Sequence, residues 1–141
     1  MNQEASEWDT QSPPDVANGR EKLRIGIIGT GGIARSVHIP GYLAIPDQCE
    51  IVAAADLSQD ALDSVEQEFG ITNLYRDYND LLQLKYIDAV SVCTSNRGHH
   101  PVTLAALSAG KHVFCEKPLA SSVVEAQEMV AAAQAADKIL A

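Results

Sequence analysis

From Leu23 onward, short apolar runs alternate with longer stretches whose apolar residues recur at helical spacing. Leu23, Ile25, Ile27 and Ile28 form a run of strand length that ends in the cluster Gly29, Gly31, Gly32. Residues 32–44 then read as a helix, which the Pro40-Gly41 pair must kink or break. Residues 50–55 make a second strand ending at Asp56, and Ser58 is placed to cap a helix running through Phe69 to a stop at Gly70. A short strand at 73–75 leads to a small acidic helix at 77–84, and residues 87–93 form a buried strand. A helix over 100–109 closes at Gly110, and His112–Cys115 is the next strand. Ser122 and Glu125 have capping-box spacing at the head of an alanine-rich helix ending near Asp137. Residues 138–141 look like the opening of another strand. Strands alternating with helices at this spacing specify an α/β fold with a parallel sheet covered on both faces.

Composition narrows the class. A chain of 141 residues with 46% hydrophobic and 21% charged residues fits one globular domain. Residues 1–21 are polar and acidic, with Pro13-Pro14 and Asn18-Gly19, and are expected to be a disordered leader to a domain over 22–141. Trp8 is the one aromatic residue in that leader. A net charge of −9 argues against nucleic acid as a partner, because a phosphate backbone demands a basic face. No apolar run reaches the roughly 18 residues a membrane span needs. Cys49, Cys93 and Cys115 have no C-x-x-C spacing and cannot all pair, so buried reduced thiols are expected. With no export signal at the N-terminus, that points to the cytoplasm.

Strand, glycine turn and helix over residues 23–34, LRIGIIGTGGIA, is the context that makes a G-x-G-x-x-G/A pattern a dinucleotide site. Gly29 allows the tight turn, Gly31 lets the backbone approach a pyrophosphate, and Ala34 lets the helix pack close on the strand. The free N–H groups of Gly31, Gly32 and Ile33 would point at the phosphates, backed by the positive end of the helix dipole. The same glycines could also serve as a turn alone. Asp56 ends the second strand 25 residues beyond Gly31, where a carboxylate accepts hydrogen bonds from adenosine ribose hydroxyls. It would repel a 2′-phosphate, and no Arg or Lys lies between Asp56 and Tyr75 to welcome one, which favours NAD over NADP. An Asp that merely starts the next turn is the competing reading. The expected architecture is a doubly wound parallel sheet, a Rossmann fold of six strands whose last is cut short.

Polar residues beyond the later strands could reach the same ligand. Thr94-Ser95-Asn96 follows the strand ending at Cys93, although this is also ordinary loop and cap composition. His99 and His100 are neighbours that must diverge, and no third ligand for a metal is apparent. Glu116-Lys117-Pro118 ends the next strand, where Lys117 could stabilise developing alkoxide charge or could lie in a proline-initiated surface turn.

GTGGIA at 29–34, Asp56, TSNRGHH at 94–100 and AALSAGKHVFCEKPLA at 105–120 together resemble the Gfo/Idh/MocA oxidoreductase family over roughly residues 22–141. The resemblance implies that Gly29, Thr30, Gly31, Gly32 and Ile33 bind the pyrophosphate and Asp56 the adenosine ribose. It implies that Thr94, Ser95, Asn96 and His99 line the passage toward the nicotinamide. Glu116 and Lys117 correspond to the family's pair, with Lys117 catalytic beside nicotinamide and substrate. Ser95 stands where the family usually has proline, a departure that loosens the loop but removes no contact group. Family members continue into a second α/β domain that builds the sugar pocket. The expectation is therefore an NAD-binding domain of a dehydrogenase acting on a sugar or cyclitol secondary alcohol, catalytically incomplete at 141 residues and open to self-association. A non-catalytic NAD-binding or sensing module working through a partner protein is the alternative, and a remnant that binds nothing is a weaker third.

Overall fold

The computed structural model describes residues 22–141, so the leader expected over 1–21, Trp8 included, lies outside the described residues. Eleven stretches of regular structure follow in chain order. They are β1 (Leu23–Ile28), α1 (a π-helical stretch Ala34–His38 continuing as Ile39–Leu43), β2 (Cys49–Ala55), α2 (Gln59–Phe69), β3 (Leu74–Tyr75), α3 (Tyr78–Leu82), β4 (Ala89–Val92), α4 (Asn96–Ser108), β5 (His112–Cys115) and α5 (Val123–Ala136). The sheet order is β3-β2-β1-β4-β5, and every pair is parallel. Beyond β5, Leu140 bridges Val113 in parallel, and Cys115 N–H donates to Ala141 O at 2.8 Å, so a sixth strand opens where the sequence placed it.

Alternation along the strands divides the core in two. Ile25, Ile27 and Ala54 pack with Ile39 and Val65 from α1 and α2 on one face. Ile28, Val90, Val92 and Val113 pack with Leu81, Val102, Leu107 and Met129 from α3, α4 and α5 on the other. Each fully buried aliphatic chain contributes roughly 1.5–3 kcal/mol. Buried sheet, more than helix propensity, therefore holds five-residue elements such as α3. The chain crosses from one side of β1 to the other between β3 and β4, and ligands of such sheets sit beyond the carboxyl ends at that reversal.

Local capping follows the sequence closely. Ser58 Oγ accepts from Ala61 N–H at 3.2 Å, and Gly70 ends α2 at φ 70°. Ser122 Oγ accepts from Glu125 N–H at 3.2 Å, while the Glu125 carboxylate reaches back one residue further, to Ser121 N–H at 3.0 Å. Two helices differ from expectation. Pro40 neither breaks nor ends α1; the turn before it widens to π-helix, with Ile39 N–H donating to Ala34 O. Helix α4 starts at Asn96 instead of His100, leaving Pro101 inside it at an exposed position. Strand β4 is also shorter than 87–93, because Ile87 N–H donates to Leu84 O in a turn.

Lys111, directly before β5, is 4% exposed. Its Nζ donates to Leu84 O at 2.7 Å and Ile87 O at 2.9 Å, and burial pushes its pKa down from the ordinary lysine value. Lys111→Met should take the ammonium donor from both carbonyls, leaving Leu84 O only its turn bond from Ile87 N–H, and destabilise the fold by about 2 kcal/mol or more. Thermal and urea unfolding check this, and a loss below about 0.5 kcal/mol would mean water replaces the ammonium.

Candidate functional site

The glycine loop leaves the sheet at the end of β1. Gly29 N–H donates to Ala55 O at 2.8 Å, tying the loop to β2, and its φ is +89°. A Cβ at Gly29 would lie 2.6 Å from both C and O of Cys93, so the end of β4 occupies the space a side chain would need. Gly31 and Gly32 are the opposite case, since a Cβ on either meets nothing within 4 Å. The first bond of the helix is Arg35 N–H to Gly31 O at 3.1 Å. The N–H groups of Gly31, Gly32 and Ile33 precede that bond, lack an intrahelical acceptor, and lie in exposed residues. A bare, donor-rich cradle at the head of a helix suits a phosphate ester.

Asp56 is joined to that loop. Its Oδ2 accepts from Thr30 N–H at 2.7 Å and Thr30 Oγ1–H at 3.0 Å, and its Oδ1 accepts from Ser58 N–H at 2.8 Å. Asp56 thus starts the turn into α2 and also anchors the glycine loop, a bond the sequence did not announce. Thr30, expected among the cofactor-binding residues, is fully buried and turns its side chain to Asp56 instead of the groove.

After β4, Thr94 is half-buried, while Ser95 and Asn96 are exposed at the head of α4. Ser95 is the N-cap, yet its hydroxyl makes no capping bond; its carbonyl accepts from Gly98 N–H at 2.8 Å. A Cβ at Gly98 would lie 2.6 Å from Thr94 Oγ1, so glycine there makes room for that hydroxyl. His99, expected to line the cofactor passage, is 1% exposed. Its Nδ1 lies 2.7 Å from Pro118 O and its Nε2 3.2 Å from Thr94 O, so the ring clips the β4–α4 loop to the β5 loop from inside. His100 points elsewhere and pairs with Glu128 of α5 at 2.6 Å.

The loop after β5 carries Glu116 and Lys117. Glu116 N–H still donates to Val92 O at 3.0 Å, and the Lys117-Pro118 bond that follows is cis. Lys117 is exposed at the same edge of the sheet as the glycine loop. Glu116 Oε1 is 2.9 Å from His38 Nε2, and its Oε2 accepts from Lys117 N–H at 2.9 Å. Those two hydrogen bonds, the histidine's first, hold the Glu116 carboxyl below the usual carboxylate range. His38 is buried, with Nδ1 3.3 Å from Ser91 Oγ, and Tyr42 Oη is 2.6 Å from the same oxygen. None of His38, Ser91 or Tyr42 stood out in the sequence. The available signal was Ser91, a hydroxyl inside an apolar central strand that had to find a partner.

The thiols are free and buried, as expected. Burial pushes the Cys93 pKa up to about 12, so it is no nucleophile at neutral pH. Among the described residues, no helix is long and apolar enough to cross a membrane.

A family model described as an oxidoreductase family with an NAD-binding Rossmann fold matches residues 23–141. Myo-inositol 2-dehydrogenase from Thermotoga maritima is 35% identical over 118 residues, covering 84% of this chain and 35% of that protein. D-glucoside 3-dehydrogenase from Escherichia coli is 38% identical over 119 residues, covering 84% and 34%. The crystal structure of the WlbA dehydrogenase from Bordetella pertussis, in complex with NADH and UDP-GlcNAcA, superposes with a TM-score of 0.80 at 29% identity, over 84% of this chain and 36% of that one. The chain thus spans about a third of the length of the relatives it matches.

Proposed function

Since the chain belongs to the Gfo/Idh/MocA oxidoreductase family and carries its NAD-binding Rossmann fold, we propose that it holds NAD along the carboxyl edge of β1, β2, β4 and β5 for oxidation of a sugar or cyclitol secondary alcohol. The observation that carries this reading is the open cradle at Gly31 and Gly32, flanked by a locked Gly29 and an anchored Asp56. Gly29, Gly31, Gly32 and Ile33 would hold the pyrophosphate, and Asp56 the adenosine ribose. Thr94, Ser95 and Asn96 would follow the cofactor toward its nicotinamide. When bound, nicotinamide exchanges a hydride with the alcohol carbon. Lys117 would donate a hydrogen bond to the substrate oxygen and stabilise its negative charge as a general base takes the hydroxyl proton. Inositol and glucoside dehydrogenases among the relatives support a polyol substrate. The buried free thiols fit a reducing compartment, which we take to be the cytoplasm.

Titration with NADH, read by its fluorescence, tests the binding. Saturable binding with perturbation of the Gly31, Gly32 and Ile33 amides is expected, and no saturation at millimolar NADH would overturn the reading. Lys117→Ala should weaken NADH about threefold to tenfold while leaving ADP-ribose, which lacks the nicotinamide, unchanged. Equal losses for both ligands would remove Lys117 from the nicotinamide.

A further inference from the structure

Four polar side chains from three elements meet beneath Lys117, and the proposed binding uses none of them. Tyr42 and His38 come from α1, Ser91 from β4 and Glu116 from the end of β5. The contacts admit one fully satisfied direction with a neutral imidazole. A carboxylate only accepts, so His38 Nε2–H donates to Glu116 Oε1, which leaves Nδ1 as an acceptor. Ser91 Oγ–H then donates to Nδ1, and Tyr42 Oη–H donates to Ser91 Oγ. At the far end, the second oxygen of Glu116 receives Lys117 N–H. The Ser–His–carboxylate order invites a nucleophilic reading, but Ser91 is fully buried with Tyr42 on its oxygen, so no substrate reaches it. The Phe114 ring, 5.0 Å from the imidazole between centroids, covers the histidine on the sheet side.

We propose that His38 is a positioning residue for Lys117: by donating from Nε2 to Glu116, it fixes the carboxylate that in turn holds the Lys117 backbone beside the nicotinamide. This rests on the reading that places Lys117 at the nicotinamide. The need for such a device is visible in the chain. Glu116 makes the last ladder bond of β5, to Val92, and Lys117 stands outside the ladder on an exposed loop. A lysine has a flexible four-carbon stem, so the precision of its ammonium depends on how firmly its backbone is held. The π-helical turn brings His38 inward at the point where α1 passes Ser91, a location where such turns often serve a site.

The test compares His38→Gln, whose amide nitrogen can stand in for Nε2, with His38→Asn, whose amide is too short to reach Glu116. NADH and ADP-ribose affinities and the Lys117 amide resonance are measured for each in the full chain. His38→Asn should weaken NADH about fivefold, leave ADP-ribose within twofold and shift the Lys117 amide; His38→Gln should restore all three. Equal losses for NADH and ADP-ribose, or no loss for either, would overturn the positioning role. A wild-type Lys117 amide that does not respond to NADH, while Gly31 and Gly32 do, would instead remove Lys117 from the nicotinamide and this proposal with it. Should His38→Asn fail to fold, long-range 1H–15N spectra of the wild-type ring decide. The neutral tautomer with its proton on Nε2 supports the proposal, and a proton on Nδ1 alone overturns it.

Discussion

Gly29→Ala is expected to cost about 3 kcal/mol of stability and to abolish measurable NADH binding. Two separate penalties add. At φ +89° an L side chain is strained by roughly 1–2 kcal/mol. The new methyl would also stand 2.6 Å from the Cys93 carbonyl group and 2.7 Å from Thr94 N, and these neighbours are backbone that no rotamer change can move aside. Relief requires the ends of β1 and β4 to separate, against Cys93 N–H bonded to Ile28 O at 2.7 Å. That overpacking adds roughly 1–3 kcal/mol, and a fall in Tm of about 10 °C follows for a domain of this size. Gly31→Ala is the control, because its Cβ enters open space at an unrestricted φ. It should melt like the wild type yet weaken NADH, since the methyl would project into the proposed cradle. Differential scanning calorimetry with NADH titration separates the two. A Gly29→Ala protein within about 1 kcal/mol of wild type would show that the strand ends yield easily.

Asp56→Ala should weaken NADH about a hundredfold, and Asp56→Asn should chiefly change which dinucleotide is preferred. The carboxylate accepts two bonds from fully buried Thr30, so alanine leaves a buried N–H and hydroxyl without their acceptor and frees the glycine loop. It also removes the charged acceptor proposed for the adenosine ribose, whose hydrogen bonds are about twice as strong as neutral ones. Asparagine keeps an oxygen for Thr30 and so keeps the loop, but it no longer repels a 2′-phosphate. Arg76 follows Tyr75 directly, and its Nη2 donates to Leu57 O, which places a guanidinium one residue from Asp56. With the carboxylate neutralised, that guanidinium is available to a 2′-phosphate, and the NADPH to NADH affinity ratio should rise about tenfold or more. Paired titrations of both dinucleotides check this. An unchanged ratio would show that Asp56 does not face the ribose.

What the sequence determined by itself is local. The strand run to Ile28, the break at Gly29, the caps at Ser58 and Ser122 and the left-handed stop at Gly70 rest on interactions within four residues or so, and periodicity and residue type report those directly. The parallel, doubly wound sheet followed as well, because alternating strands and helices with a glycine turn after the first leave few other arrangements. Tertiary structure alone decided where the polar side chains went. His38 meets Ser91 across 53 residues and Glu116 across 78, and Lys111 reaches Ile87 across 24. Arg76 lies 19 residues from its acceptor, and His99 lies 19 from the Pro118 carbonyl that draws it inside. A parallel sheet brings together chain segments separated by whole helices, so the partner of a buried polar group leaves no trace in spacing. Burial demands that such a partner exist, and only the packed sheet says which residue it is.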